Sequence, residues 1–114
     1  MYPQTHIKFY LTGSGRSPVE EFLKDQSNEI QAQFAEAADL LMSGAKLSMP
    51  YSRPLSGIYN GLHELRLKDR SGQVRVFYFF KKADAIYILH AFRKKTQILP
   101  KLEIQLVLKR IKEI

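Results

Sequence analysis

The chain has 114 residues, 45% of them hydrophobic and 25% charged, a length that suits one domain over residues 1–114 and a composition that excludes intrinsic disorder. It has no cysteine, which excludes disulfide scaffolds, thiol nucleophiles and cysteine-ligated zinc. The net charge of +7 is uneven: residues 1–60 hold five basic and six acidic side chains and residues 61–114 hold thirteen and five, so the second half offers an electropositive surface suited to a polyanion such as nucleic acid.

His6–Leu11, rich in aromatic and β-branched residues, reads as an opening strand, closed by the turn Thr12-Gly13-Ser14-Gly15-Arg16. The two glycines there form no phosphate loop, because Pro18 falls where a dinucleotide fingerprint needs its third glycine. Ser17-Pro18-Val19-Glu20 is a helix start: serine to cap, proline for the first helical position, Glu20 to close a capping box. A second helix, about Asn28 to Ser43, sets Ile30, Phe34, Ala38 and Leu41 on one stripe and stops at Gly44. Leu47–Ile58 reads as an irregular connector. Leu62–Lys68 alternates apolar and charged residues, Asp69–Gly72 is a hairpin turn, and Gln73–Lys81 is a long strand. A turn at Lys82-Ala83-Asp84 leads to the strand Ala85–Phe92, then to a basic loop over Arg93–Gln97. The last helix runs from about Pro100, with Ile104, Val107, Leu108 and Ile111 on its buried side. The order β-α-α-β-β-β-α predicts an α+β domain: an N-terminal strand and helical hairpin packed on an antiparallel meander, with a C-terminal helix and all helices on one face. The longest apolar runs, Val76–Phe80 and Ala85–Leu89, are too short to span a membrane, and Met1–Lys8 lacks the apolar core of a secretory signal. A cytoplasmic protein with no membrane partner is expected.

Arg66 and Lys68 stand on the charged face of one strand, and Arg75 interrupts an otherwise apolar neighbour. A buried arginine needs a carboxylate or a ligand, and Glu64 across the hairpin is the structural alternative to a phosphate. Arg93, Lys94 and Lys95 follow the last strand. Sequential strands of a meander lie side by side, so Arg66, Arg75 and Lys94 converge, and their mutual repulsion calls for a polyanion. His6, His63 and His90 show no ligand spacing, so neither a metal site nor a cofactor is expected. His90 is either a general acid or base or a hydrogen-bonded core residue, and Phe92, beside the basic loop, can stack on a base.

The runs Gly61-Leu62-His63-Glu64-Leu65-Arg66, Arg75-Val76-Phe77-Tyr78-Phe79 and Leu89-His90-Ala91-Phe92-Arg93-Lys94-Lys95-Thr96-Gln97 follow Ser17-Pro18-Val19-Glu20-Glu21-Phe22-Leu23 in order. Together they resemble the phage-derived, HigB-like branch of the RelE/ParE toxin superfamily over nearly the whole chain. The resemblance implies the RelE-like microbial RNase fold and the toxin of a type II toxin–antitoxin pair. It implies metal-independent cleavage of mRNA in the ribosomal A site, and a cognate antitoxin of the helix-turn-helix type. Arg66 and Arg75 match the family's phosphate-holding strand residues. Lys94 or Lys95 matches its basic loop, which stabilises charge at the cleavage site, with His90 in reserve as a catalytic group and Lys68, Arg93 and Phe92 as RNA contacts. Glu64 stands where RelE has a lysine, and the last helix lacks RelE's catalytic tyrosine. Two other functions share the fold: inhibition of DNA gyrase, as in ParE, and binding of an antitoxin without activity.

Overall fold

The computed structural model describes residues 5–82, 84–96 and 98–114. The expected turn at Ala83 and the loop position Gln97 lie outside the described residues, as does the segment 1–4. Among the described residues, five strands form one mixed sheet: β1 (His6–Phe9), β2 (Ser52–Pro54), β3 (Leu62–Asp69), β4 (Gly72–Lys82) and β5 (Ala85–Lys94). Their spatial order is β1-β5-β4-β3-β2, with β1 parallel to β5 and every other pair antiparallel. Three helices accompany them, α1 (Pro18–Lys24), α2 (Asn28–Met42) and α3 (Lys101–Glu113). This is the α+β arrangement that the resemblance implies.

The expected chain order holds with one addition. The stretch read as an irregular connector contains β2, a three-residue edge strand. Pro54 is tolerated there because an edge strand leaves one row of backbone groups unpaired. Ser52 is fully buried and its hydroxyl shares a 2.5 Å hydrogen bond with the Tyr78 hydroxyl, while the Arg66 amide donates to the Tyr51 carbonyl at 2.8 Å. Those two bonds fix β2 against the sheet.

The capping pattern is redistributed. Ser17 precedes α1 but its hydroxyl makes no capping bond and is buried without a partner among the described residues. Ser27 caps α2 instead, accepting from the Ile30 amide at 3.2 Å. Gly61 precedes β3 with φ of 90°, where a side chain would crowd the Phe80 carbonyl at 3.1 Å.

The helices do not share one face. Val19, Leu23, Ile30 and Leu41 from α1 and α2 pack with Leu65, Val74, Val76 and Tyr78 on one side of the sheet. Val107 and Ile111 from α3 pack with Leu62, Phe77 and Leu89 on the other. The reason is legible in β4, where Val76–Phe80 is apolar on both faces; a strand covered on both sides carries such a run rather than an alternation. Leaving a side chain of the size of Phe77, which has no exposed surface, in water would cost about 2 kcal/mol.

One irregularity sets which side chains share a face. Phe77 pairs with His90 but Tyr78 pairs with Ile88, so Leu89 is an extra residue in β5. The bulge lets Leu89 and His90 both lie on the α3 side, after which alternation resumes with Ala91 inward to α1 and α2 and Phe92 toward α3. No helix among the described residues is long and apolar enough to cross a membrane.

Candidate nucleic-acid interface

α3 covers only part of its face of the sheet. Beyond it lies an open cleft of about 670 Å³ walled by five cations, Arg53, Arg66, Arg75, Lys94 and Lys95. Four come from four different strands, β2 to β5, Lys95 directly follows Lys94, and the register brings them together. Arg66 and Arg75 are direct cross-strand partners, Gln73 faces Lys94, and Arg53 faces Glu64. Directly opposed residues of an antiparallel pair project to the same side, so three strands and an edge strand deliver their cations to one surface. Gln73 and Thr96 supply the neutral polar wall.

Opposed arginines repel each other, and like charges in this position destabilise a sheet. Glu64 offsets that repulsion. Its Oε1 accepts 3.1 Å bonds from both Arg66 Nε and Arg75 Nη1. The two arginines are otherwise unlike. The Arg75 side chain is 5% exposed, with Nη2 bonded to the Gln73 side-chain oxygen and Nε buried without a partner among the described residues. The Arg66 side chain is 26% exposed, and its two terminal amino groups have no bond among the described residues. Arg66 is thus the accessible fork and Arg75 the buried support. Burial depresses the pKa of Arg75, opposed by the charge of Glu64. Burial also lowers the pKa of Lys94, helped by the positive charge of Arg75 and resisted by Glu64.

The other candidates fall elsewhere. Arg93 points to the opposite face, because β5 runs on to Lys94 and adjacent strand residues alternate. There it clamps Asp69 through both terminal amino groups, at 2.9 and 3.1 Å, and reaches the Gln26 side chain at 2.9 Å. Lys68 shares the face of Arg66 but is exposed and does not line the cleft. His90 lies beneath α3 rather than in the cleft: Nε2 is hydrogen-bonded to Glu103, and Arg110 Nη1 stands 3.5 Å from Nδ1. Burial holds its pKa below the ordinary histidine value despite Glu103. Phe92 is half-buried, opposite Arg75, and stacks on Phe77 and His90 with ring centroids 5.9 Å apart in each case. Its ring separates the apolar floor under α3 from the cationic cleft.

Arg53 is the residue that sequence reading missed. Its only local signal is Ser52-Arg53-Pro54, a serine and an edge-compatible proline around a cation, inside a stretch without periodicity.

The family model of the phage-derived Gp49-like proteins (DUF891) matches residues 21–112, which takes in every wall of this cleft. The chain belongs to this family. Gp49-like proteins are associated with the RelE-like toxins of toxin–antitoxin systems. No curated protein matches the chain.

Proposed function

We propose that this Gp49-like protein is the toxin of a type II toxin–antitoxin pair, of the HigB-like kind, and a ribosome-dependent mRNA endonuclease. The observation that carries the reading is the cleft itself: among the described residues, five cations around a single buried carboxylate, open to solvent, on one face of the sheet. Such a surplus of positive charge is offset by the phosphates of a polynucleotide, and its bare state is the less favourable one.

The chemistry that suits these groups is attack of a ribose 2′-oxygen on the adjacent phosphorus. The 2′-O–P bond forms, the P–5′-O bond breaks, and a 2′,3′-cyclic phosphate and a 5′-hydroxyl result. Lys94, whose ammonium is disfavoured by burial and by Arg75, takes the 2′-hydroxyl proton. The free fork of Arg66 binds the non-bridging oxygens in two-point fashion, where charge grows in the phosphorane. Arg75 supplies fixed positive charge from below. Lys95 at the rim donates to the departing 5′-oxygen, and Arg53 at the opposite wall holds a flanking phosphate. The partner protein is a cognate antitoxin, a small helix-turn-helix protein in this reading.

The deciding experiment adds the protein to a cell-free translation reaction and maps a defined message by primer extension, beside a tube without ribosomes. Cuts confined to the translating tube are expected. Cuts in both tubes would mean a free ribonuclease. An intact message in both would remove the nuclease reading and leave gyrase inhibition or antitoxin binding alone.

A further inference from the structure

We propose that Glu64 is the positioning residue of the cleft, a resting counter-ion whose carboxylate stands in for the RNA phosphate by holding Arg66 and Arg75 together until substrate arrives. The proposal rests on the nuclease reading above for its catalytic part and on the cleft geometry alone for its binding part.

Glu64 is a carboxylate with a 4% exposed side chain, bonded to Arg66 and Arg75 behind the wall they give the cationic cleft. One oxygen accepts from two guanidiniums that the strand register sets directly opposite each other. A pure ion pair would need one partner; two partners on one oxygen fix the separation of the arginines. Arg66 spends only Nε on this bond, so its terminal fork stays available to a ligand while its stem is held. Arg75 is anchored at both terminal amino groups, by Glu64 and by Gln73. The same carboxylate opposes an entering phosphate, since its negative charge sits below the place where the phosphate binds. Glu64 therefore trades affinity for geometry: it weakens RNA binding and aligns what binds.

Two substitutions separate charge from reach. Glu64→Gln keeps the shape and removes the charge; Glu64→Asp keeps the charge and shortens the reach by one methylene. Binding is read by fluorescence anisotropy with a single-stranded RNA that is 2′-O-methylated throughout and so lacks the attacking hydroxyl. Cleavage is read separately in the translation assay, and melting curves accompany both. The glutamine variant should bind this RNA about fivefold more tightly at low salt, the effect of one unit charge removed from a solvated cleft, and should cut about tenfold more slowly once bound. The aspartate variant should bind like the wild type and also cut slowly. Weaker or unchanged binding by a folded glutamine variant would overturn the proposal, as would a loss of folding in both variants, which would make Glu64 a structural residue. If the wild type binds the RNA and cuts no message, the nuclease reading fails while the affinity difference still judges the counter-ion. If the wild type binds no RNA, the counter-ion proposal fails.

Discussion

Arg75→Met tests the division of labour between the two arginines. The substitution keeps most of the side-chain volume and removes the guanidinium. Glu64, whose side chain is 4% exposed, then keeps only its 3.1 Å bond from Arg66 Nε. Breaking a buried ion pair by removing one partner costs about 3–5 kcal/mol, and the surviving Arg66 contact points to the lower end. With an unfolding entropy of about 2.1 cal/mol/K per residue, 3 kcal/mol lowers the melting temperature of this chain by about 12 °C. The double variant Glu64→Leu with Arg75→Met removes the stranded charge and should recover most of that loss, because an apolar pair of similar volume is a near-neutral replacement. Thermal and urea melts by circular dichroism, without RNA, give both numbers. A single variant that melts within about 3 °C of wild type would refute the reasoning. Arg75 would then not be committed to a buried pair, and its contribution to the cleft would be direct contact.

Arg66→Ala should do the reverse: a melting temperature within about 4 °C of wild type, because the side chain is partly solvated, and a fall in message cleavage of about a hundredfold or more. In the proposed mechanism Lys94 carries the pH dependence. A base must be unprotonated to act, so the rate should rise as pH rises through a lysine pKa that lies below the ordinary range, and the limb should vanish in Lys94→Met, as single-turnover cleavage across pH would show. The Asp69 carboxyl is held at about 2 by the Arg93 guanidinium and the Ser27 hydroxyl, so its contribution to stability is complete above its unfolded value near 4 and fades as pH falls toward 2. Arg93→Gln should therefore raise the pH of acid unfolding, measured by circular dichroism in an acid titration.

Much of the architecture was legible because strands and helices announce their period. Leu65 and Leu67 alternate with Glu64, Arg66 and Lys68, which sets Arg66 on the charged face, and the adjacency of sequential strands in a meander brings it to Arg75 and Lys94. The Glu64–Arg75 ion pair was foreseen as the alternative to a phosphate, and the geometry shows that one carboxylate serves both arginines. What was hidden has a common cause. Arg93, Lys94 and Lys95 read as one basic loop only if the strand ends at Phe92. It ends two residues later, so Arg93 and Lys94 take opposite faces. A strand of three residues carries no measurable period, which concealed β2 and with it Arg53. The side of the sheet chosen by α3 is set by tertiary packing over Phe77 and Leu89, and an amphipathic helix by itself does not say which face it meets.

The same face of the sheet thus does two incompatible things, and the boundary between them is built from named side chains. Under α3 it is apolar, and the helix is tied down by the Arg110 bond to the Leu89 carbonyl at 2.7 Å and by the His90–Glu103 contact. A few residues along β4 and β5 it is cationic and open to solvent. The near-parallel rings of Phe77, His90 and Phe92 close the apolar side, so Arg75 abuts an aromatic wall on β5 and a carboxylate on β3. Low polarity on one flank strengthens the electrostatic pull of Arg75 on anything in the cleft, while the other flank leaves the cations open to solvent. A cleft buried on all sides could not hold five cations, because desolvation would neutralise or expel them. A fully exposed one would lose the depressed lysine pKa that the proposed chemistry needs. The position of α3, which stops short of the ends of β4 and β5, is therefore as much a part of the site as the cations themselves.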